Sequence, residues 1–476
     1  MTASFRLTSR LFTVASCLLA AAALTSPLSA QEMELSEHDI LARDIYRELI
    51  EINTTDEDGN TTEAAEAMAA RLRAAGFPEE DLHIVGPHER KGNLVARLRG
   101  NNSNRKPVLL LAHLDVVQAL PSDWTIPPFT FLEQDGYYYG RGTADDKAMA
   151  AIWIANLIRY KEEGYVPDRD IIVALTADEE GGAYNGVQFL LENHRDLIDA
   201  EYTLNEGGGG AMKDGVPLFN SVQLAEKVYQ SFRLVASNAG GHSSLPVADN
   251  AIYHLVRAVD AISHFHFSIE LNEVTRAYFE RTARIESPEI AAAMEGILQT
   301  PPDEDSAERL MHLAHYNARM RTTCVATRLQ AGHADNALPQ HAEALINCRI
   351  LPTQDPAEVL QTLNDIVNND EITITPTNEP NPSPPTPMVE EVMGPIERLT
   401  EAMWPGVPVI PAMSTGATDG LYLRRAGIPV YGVSGLFGDV DDVRAHGRDE
   451  RMRITSFHNG LEFLYRLVQE LTTPIS

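Results

Sequence analysis

The sequence predicts an α/β fold in which a mostly parallel sheet is flanked by helices and interrupted by an inserted α+β domain. Val-, Ile- and Leu-rich runs typical of strands alternate with helical patterns over residues 61–208, and again after residue 387. Residues 228–377 instead follow the order β-α-β-β-α-β, the split βαβ arrangement of ferredoxin-like domains. A length of 476 residues also exceeds the usual size of a single core.

The first half of the chain supplies the clearest elements of the predicted sheet. Helical patterns cover residues 61–76, 146–164 and 184–194, and strand patterns cover 92–98, 107–117, 170–180 and 200–208. In a sheet of this kind, chemistry is found at the carboxyl ends of the strands. Five polar residues lie at those predicted ends: His113, Asp115, Glu179, Glu180 and Glu206.

The change of pattern sets the domain boundaries. Strand 227–236 leads to helix 250–262, and a helical insertion between about 266 and 320 precedes two strands that form a hairpin. We therefore expect a discontinuous catalytic domain at residues 31–227 and 378–476, and a lid domain at residues 228–377. The proline-rich segment 378–387 has the composition of a stiff linker.

Charge and the N-terminal segment limit the partners and the compartment. The net charge of −30, from 38 basic and 68 acidic residues, disfavours nucleic acid and anionic lipid. Residues 1–30 resemble a signal peptide, with Arg6 and Arg10 around the start of an apolar run that is too short to span a bilayer comfortably. A lipoprotein signal at Cys17 is the alternative. We expect a secreted or periplasmic protein without stable membrane insertion.

Two cysteines remain after the expected signal, Cys324 and Cys348. They cannot form a thiolate metal cluster, but an oxidising compartment would permit them to pair. A hairpin centred near Asn336 would set them opposite each other, although directly opposed strand cysteines are often strained. From the sequence alone, a disulfide and two free thiols both stay open.

The polar strand ends carry the residue types of a hydrolytic metal centre. Such a centre needs imidazole and carboxylate ligands, an open position and a nearby base that is not a ligand. His113 and Asp115 are two residues apart, so on a strand they point to the same side, and Asp115 can accept the second ring N–H of His113. Asp145 and Asp146 follow a glycine-containing turn at a helix start, where helix capping is the alternative.

Further carboxylates follow the next two predicted strands. Asp178, Glu179 and Glu180 form a run that a solvated charged loop would also explain. A dication among them would relieve their repulsion and let one Glu act as ligand and the other as general base. Glu206 lies between Asn205 and four glycines, and taken alone it is a loop residue.

The motifs, taken together and in order, resemble one family. They are HLDVV (113–117), Trp124, PPF (127–129), YGRGTADDK (139–147), DEEGG (178–182), NEGGGG (205–210), GGHSSLP (240–246), NALP (336–339), INCRILP (346–352) and RAHGRDERM (444–452). The chain is similar to the zinc-dependent aminoacylase, carboxypeptidase and succinyl-diaminopimelate desuccinylase family. The wording from Trp124 to Lys147 is closest to the carboxypeptidase S and N-fatty-acyl-amino-acid hydrolase branch.

The resemblance implies a metallohydrolase with two Zn²⁺ per subunit, both bound by Asp145. His113 and Glu206 would complete one metal, and Glu180 and His446 the other. Co²⁺ or Mn²⁺ would also suit such ligands. It further implies that Glu179 is the general base, that Asp115 orients His113, and that the Asp145–Asp146 peptide is cis.

Substrate contacts are also implied by the resemblance. His242 would reach the active site of a partner subunit and stabilise the oxyanion, so a homodimer through the lid domain is expected. Asn336 and Arg349 match positions that hold the substrate carboxylate, and Gly416 and Thr418 are further candidates for the same pocket. One departure is Ala148, where the family usually has Gly.

Two enzyme types remain open. The expected reaction is cleavage of an amide bond next to a free carboxylate, most simply by a carboxypeptidase acting on small peptides. The alternative is an N-acyl-amino-acid amidohydrolase, a deacylase. A remote alternative is a non-catalytic exported binding protein, which should have lost a ligand or the base, whereas all of these positions are intact here.

Overall fold

The computed structural model describes residues 35–101 and 104–473, so the expected signal peptide at residues 1–30 and Cys17 lie outside the described residues. Within the described part of the chain the helices are α1 (Glu37–Glu51), α2 (Thr61–Ala74), α3 (Lys147–Glu162), α4 (Gly186–Asn193), α5 (Arg195–Ile198), α6 (Ala251–His264), α7 (Glu273–Thr282), α8 (Pro288–Ile297), α9 (Glu304–Met311), α10 (Ala314–Met320), α11 (Pro356–Val367), α12 (Glu390–Met403), α13 (Gly420–Arg425) and α14 (Ile454–Thr472).

The strands of the same residues are β1 (Leu82–Val85), β2 (Asn93–Leu98), β3 (Val108–His113), β4 (Leu132–Gln134), β5 (Tyr137–Tyr139), β6 (Ile171–Thr176), β7 (Tyr202–Asn205), β8 (Gly210–Lys213), β9 (Val216–Glu226), β10 (Val228–Ser237), β11 (Gly241–His242), β12 (Thr323–Ala331), β13 (Ala337–Leu338), β14 (His341–Ile350), β15 (Ile372–Pro376), β16 (Val409–Ser414), β17 (Val430–Gly432), β18 (Phe437–Asp439) and β19 (Arg451–Arg453).

A ten-stranded sheet forms the centre of the molecule. Its strands follow the order β1-β2-β6-β3-β7-β17-β9-β8-β18, and β16 pairs with β9 off this path. The central strands β6, β3, β7 and β17 run parallel to one another, whereas β1, β2 and β6 pair antiparallel. The predicted α/β fold class is confirmed.

Helices cover both faces of this sheet, as the apolar central strands require. Leu110 and Val173 belong to one buried cluster with α1, α3 and α14, whereas Leu109 and Ile172 belong to another with α4, α5 and α13. Successive residues of a strand point to opposite faces, so a strand with apolar residues at every position needs a helical layer on each side. Strands β3 and β6 are buried along their whole length.

Helix α1 extends the helical layer beyond the elements that the sequence pattern predicted. Its buried positions, Ala42, Ile45, Tyr46, Leu49 and Ile50, follow a helical period and face α3. Its carboxyl end accepts hydrogen bonds from the buried Lys147 ammonium, which lies 2.8 Å from both Leu49 O and Ile52 O. The helix thereby fixes the start of α3, directly after Asp145 and Asp146.

A second, fully antiparallel sheet has the strand order β12-β14-β10-β15. We call it the lid sheet, and we call the ten-stranded sheet the large sheet. Alternate residues of β14 from Ala342 to Ile350 are buried in a cluster with α6 and α11. Cys324 and Cys348 lie directly opposite each other on β12 and β14 and form a disulfide. On the opposite face of β14, alternate residues from Glu343 to Arg349 are half-buried.

The insertion between α6 and β12 forms four helices, α7 to α10. They enclose a small apolar cluster of their own that includes Phe279, Met294 and Tyr316. Arg281 ties the insertion to the large sheet, since its Nη1 lies 2.6 Å from Glu397 Oε1 and 2.9 Å from Val409 O. The segment 378–387 contains no helix or strand. Its residue Thr386 donates a hydrogen bond to Val430 O.

Among the described residues, no helix combines the length and the apolar character that crossing a bilayer requires.

Candidate metal centre

Polar side chains converge where the central strands end. His113 is the last residue of β3, Glu179 and Glu180 lie just beyond β6, and Glu206 directly follows β7. Because neighbouring parallel strands end at the same edge, residues far apart in sequence meet there. Potential ligand atoms fall within 4.8 Å of one another in two groups: His113, Asp145 and Glu180, and His113, Glu179 and Glu206.

Asp145 lies between two imidazoles. Its Oδ1 is 3.0 Å from Nε2 of His113, and its Oδ2 is 3.2 Å from Nε2 of His446. The same nitrogen of His446 lies 2.8 Å from Glu180 Oε1, and that of His113 lies 3.9 Å from Glu206 Oε2. The carboxylate therefore presents one oxygen to each half of the site, as a bridging ligand must.

The donor set suits divalent cations. Imidazole nitrogen and carboxylate oxygen are ligands that Zn²⁺ accepts, and Co²⁺ and Mn²⁺ accept them too. His113 is almost fully buried, while His446 keeps half of its side chain exposed. The five residues would hold one ion between His113 and Glu206 and one between Glu180 and His446, with Asp145 shared between the two.

The protein electrostatics of this cluster favour bound positive charge. Burial raises the pKa of Glu179 to about 10, His113 opposes the shift, and the charges of Glu206 and Asp419 add to it. Burial also raises the pKa of Glu180 to about 7, with Asp145 contributing. Carboxylates packed this closely cannot all ionise at neutral pH unless cations sit among them.

Asp115 contacts the site differently from the strand-based expectation. Strand β3 ends at His113, because the chain turns away at Leu114 to pack against Thr54, whose Oγ1 donates to Leu114 O at 2.7 Å. Nδ1 of His113 lies 2.9 Å from the main-chain O of Asp115, whereas the Asp115 carboxylate is 3.6 Å away. The main-chain carbonyl is therefore the hydrogen-bond acceptor that orients the imidazole.

The Asp115 carboxylate has another role in the structure. Its two oxygens accept the backbone N–H groups of Glu179 and Glu180, at 3.1 and 2.9 Å. Asp178, just before them, adopts left-handed backbone (φ 57°), and its carboxylate pairs with the buried Lys91 ammonium. Asp115 thus holds the main chain of the two glutamates, and Lys91 fixes Asp178, the residue that precedes them.

The turn before α3 also departs from simple helix capping. Asp146 is the N-cap of α3, yet its side chain makes no capping hydrogen bond and its buried Oδ2 has no partner. The peptide between Asp145 and Asp146 is cis, as predicted. Capping therefore does not account for this pair of carboxylates.

A buried ion pair joins the Asp145 turn to the His446 loop. Glu450 Oε2 lies 2.5 Å from Nη1 of Arg141, and Glu450 Oε1 accepts the N–H groups of Ala144 and Asp145 at 2.7 and 3.2 Å. The other arm of Arg141 reaches the loop, with Nη2 3.4 Å from His446 O. This one ion pair therefore fixes both Asp145, the proposed shared ligand, and His446, which comes from a distant part of the sequence.

The Trp124 to Phe129 stretch braces this pair. The Arg141 guanidinium lies 5.0 Å from the centre of the Trp124 ring, and Arg141 N–H donates to Pro128 O at 2.7 Å. Thr125 donates to both carboxylate oxygens of Asp449, next to Glu450 in the same loop. The stretch from Trp124 to Phe129, which indicated the family branch, therefore contacts the residues that position the candidate ligands.

The remaining predicted site residues lie on the lid sheet or near it. His242 is exposed and pairs through β11 with β13, directly after Asn336, and its Nδ1 accepts from Ser244. Arg349 lies on β14 with its guanidinium 4.8 Å from the Tyr229 ring centre. Within the described chain, no hydrogen bond or ion pair connects these three to the residues around Asp145.

Thr418, by contrast, lies beside the candidate metal centre. Its hydroxyl donates to Glu226 Oε1 at 2.6 Å and accepts from Asn205 Nδ2 at 3.5 Å, directly before Glu206. Gly416 lies in the same loop, and its N–H donates to Ser414 Oγ at 3.0 Å.

The sequence patterns missed three supporting residues. Asp419 is buried beside Glu179 and accepts from Asn185 Nδ2 and Thr176 Oγ1, at 2.5 and 3.2 Å. Arg141 and Glu450 appeared only as letters of the quoted motifs. Both lie among other charged residues, so their local sequence does not distinguish them, and pairing across the chain cannot be seen in one sequence.

This fold and donor set define a metal-dependent hydrolase. Residues 109–470 match the model of peptidase family M20/M25/M40, and the chain belongs to this family. The family resemblance is therefore confirmed, and the protein is a hydrolytic enzyme of a metallopeptidase and amidohydrolase family.

Relatives of known name fall on both branches. The N-fatty-acyl-amino acid synthase/hydrolase of Xenopus tropicalis is 28% identical over 434 residues, covering 89% of this chain and 83% of that protein. The probable carboxypeptidase S-like 2 of Dictyostelium discoideum is 28% identical over 387 residues, covering 79% and 74%. Among solved structures, the M20 metallo-carboxypeptidase Sso-CP2 of Sulfolobus solfataricus has a TM-score of 0.66 at 19% identity, covering 92% of this chain and 100% of that one.

The Arg141–Glu450 pair yields a prediction. Glu450→Gln should weaken metal binding by about 10- to 100-fold, because it removes the charge that fixes the Asp145 turn and the His446 loop. Metal titration of the apo protein measures this, beside denaturant unfolding to account for lost stability. Glu462→Gln, which breaks a partly exposed pair with Arg159 away from the site, is the matched control. Unchanged metal affinity in Glu450→Gln would show that the pair does not position the ligands.

Proposed function

We propose that the protein is an exported dizinc hydrolase that cleaves an amide bond next to a free carboxylate, most simply as a carboxypeptidase on small peptides. The observation that carries this proposal is the carboxylate of Asp145 between His113 and His446, with Glu180 and Glu206 on either side. Bound divalent cations would supply Lewis-acid activation of the scissile carbonyl and of a water.

Glu179 is the proposed general base of the reaction. It lies among the ligand residues. Its backbone N–H donates to the carboxylate of Asp115, so that its position does not depend on hydrogen bonds of its own side chain. A carboxylate in this place can take the proton of the attacking water and deliver it to the leaving amine.

Substrate binding is proposed to use both sheets. Asn336 and Arg349 would hold the free carboxylate, for which an arginine fork is well suited, and Gly416 and Thr418 would line the pocket near Glu206. His242 would stabilise the oxyanion at the active site of a partner subunit, since it is exposed and its contacts are local.

The export proposal rests on residues 1–30, and the disulfide between Cys324 and Cys348 is consistent with an oxidising compartment.

A homodimer through the lid sheet is part of the proposal. Strand β12 is the edge of that sheet, and Val325 and Leu329 on it are 61% and 59% exposed. An unpaired edge with exposed apolar side chains is a natural surface for a second copy of the same strand.

We expect a dimer by sedimentation velocity, which Val325→Asp combined with Leu329→Asp should convert to a monomer, because two charges would be buried at the interface. Activity should fall with dimer content if His242 acts in the partner's site. Val216→Asp, at an exposed position on β9, is the control. A wild-type monomer with full activity would contradict both the dimer and the role of His242.

The alternative function is hydrolysis of N-acyl amino acids. It is favoured by the 28% identity to the N-fatty-acyl-amino acid synthase/hydrolase of Xenopus tropicalis, which covers most of both chains. Both functions need the same metal centre and the same carboxylate contact, so they differ only in what occupies the acyl side of the bond.

A substrate panel on zinc-loaded protein separates the two. Dipeptides, N-acetyl amino acids and long-chain N-acyl amino acids are compared by kcat/KM, each with a free and an amidated carboxylate. We expect dipeptides to be the best substrates and amidation to cost about tenfold or more, because it removes the charge that Arg349 would bind. Preference for long-chain acyl substrates would establish the alternative, and equal cleavage of amidated substrates would overturn the carboxylate requirement.

Glu179→Gln tests the assignment of the base. It should lower kcat by about 10²- to 10⁴-fold while metal content stays near that of the wild type, because the side chain carries the proton and not the metal. Glu180→Gln should lower both, since it removes a ligand. Loss of metal in Glu179→Gln would make it a ligand, and retained turnover would remove it from the mechanism.

A further inference from the structure

Three cations meet at the crease between the two sheets. Strand β9 of the large sheet ends at Glu226 and β10 of the lid sheet begins at Val228, so Lys227 is the single residue between these two strands. Lys227, Arg321 and Arg349, which we call the crease cluster, lie on the side of the lid sheet opposite to its buried cluster with α6 and α11.

The contacts of Lys227 join the cluster together. Its Nζ donates to Arg321 O at 2.7 Å and to Thr323 Oγ1 at 3.3 Å. Thr323 is the cross-strand neighbour of Arg349. Arg321 lies two residues before Thr323 with extended backbone, so its side chain leaves on the same side as that of Thr323.

None of the three forms an ion pair within the described residues. Lys227 bonds only to uncharged oxygens, Nε of Arg321 is buried without any hydrogen-bond partner, and Arg349 is stacked on Tyr229. Four other buried cations of the described chain have carboxylate partners: Lys91 with Asp56 and Asp178, Arg141 with Glu450, Arg169 with Glu201 and Glu391, and Arg424 with Glu226. Lys147, like Lys227, instead donates to main-chain oxygens.

This arrangement is costly in the absence of an anion. Lys227 is 2% and Arg321 is 8% exposed, so both charges have lost most of their hydration. Burial lowers the pKa of Lys227 to about 7, and the charges of Arg349 and Arg319 add to the effect. Burial alone lowers the pKa of Arg321. Although the sequence has 68 acidic residues, none of those in the described part of the chain forms an ion pair with these cations.

The crease adjoins the proposed substrate pocket. The N–H of Lys227 donates to Ser414 O at 3.0 Å, where the loop of Gly416 and Thr418 begins. Glu226, the residue before Lys227, accepts a hydrogen bond from the hydroxyl of Thr418. That hydroxyl also accepts from Asn205, which directly precedes Glu206. The loop from Ser414 to Thr418 therefore contacts both the crease cluster and the segment that carries Glu206.

We propose that Lys227 and Arg321, beside Arg349, bind a second carboxylate of the substrate, so that the amino acid released from the scissile amide is acidic. This inference rests on the proposed function, in which Arg349 takes the first carboxylate. An aspartyl or glutamyl side chain supplies the missing negative charge and restores hydrogen bonds to the buried guanidinium and ammonium groups. It fits either enzyme type, because both release an amino acid.

Binding of L-glutamate and L-glutamine to the zinc-loaded protein tests the inference without requiring turnover. Calorimetry should give a dissociation constant about tenfold or more lower for glutamate, since the two ligands differ only in the charge that the crease would read. Arg321→Gln and Lys227→Met should each bring the ratio close to one, and Arg321→Lys should restore part of it. Arg233→Gln, an exposed arginine on β10, should leave the ratio unchanged.

The outcomes are distinct from those of the proposed function. If neither peptides nor N-acyl amino acids are hydrolysed but glutamate remains favoured, the proposed function fails and the anion site stands. If substrates are hydrolysed but glutamate and glutamine bind equally, the crease does not select acidic residues. A glutamate preference that survives in both Arg321→Gln and Lys227→Met would also overturn the inference, because the metals alone would then explain it.

Discussion

The buried ion pair between Arg141 and Glu450 is the interaction on which the metal centre depends. It joins segments 309 residues apart, and its carboxylate also accepts the N–H groups that shape the Asp145 turn. A buried pair contributes little net stability, because desolvation offsets the attraction, but losing one partner is expensive. Its value here is geometric, because it fixes where the Asp145 turn meets the His446 loop.

Around this pair, the ligands are held through the main chain more than through their own side chains. Asp115 holds the amides of Glu179 and Glu180, and Glu450 holds that of Asp145. Close packing also restricts the backbone that follows Glu206, since a Cβ on Gly208, two residues further on, would lie 2.0 Å from Gly432 O. The side-chain oxygens are therefore left free to face cations, at the cost of mutual repulsion that cations would relieve.

Much of this could be predicted from the sequence, for identifiable reasons. Apolar strands and amphipathic helices have strong periodicities, so the α/β fold and the polar strand ends were accessible. The predicted strand ends already placed His113, Glu180 and Glu206 at one edge, whereas His446 joined the set only through family resemblance, since tertiary packing brings it there. The carbonyl of Asp115 as the partner of His113 was not predictable, because it depends on the chain leaving the strand at Leu114.

Helix α1 and the crease cluster illustrate what local patterns leave out. The helix lies before the first predicted element, and its clear apolar period from Ala42 to Ile50 could have been recognised in the sequence. The cluster could not be found in this way. Lys227, Arg321 and Arg349 are ordinary basic residues in sequence, and only the structure places them without carboxylates in a strongly acidic protein.

The single-residue passage from β9 to β10 has a mechanical consequence. Lys227 is engaged through its N–H, which donates to Ser414 O, and through its ammonium, which donates to Arg321 O. The residue that joins these two strands is therefore also one of the three proposed binding groups. An anion bound to its ammonium would act directly on the segment where one sheet passes into the other, so that binding and the relative placement of the sheets would be coupled through one residue.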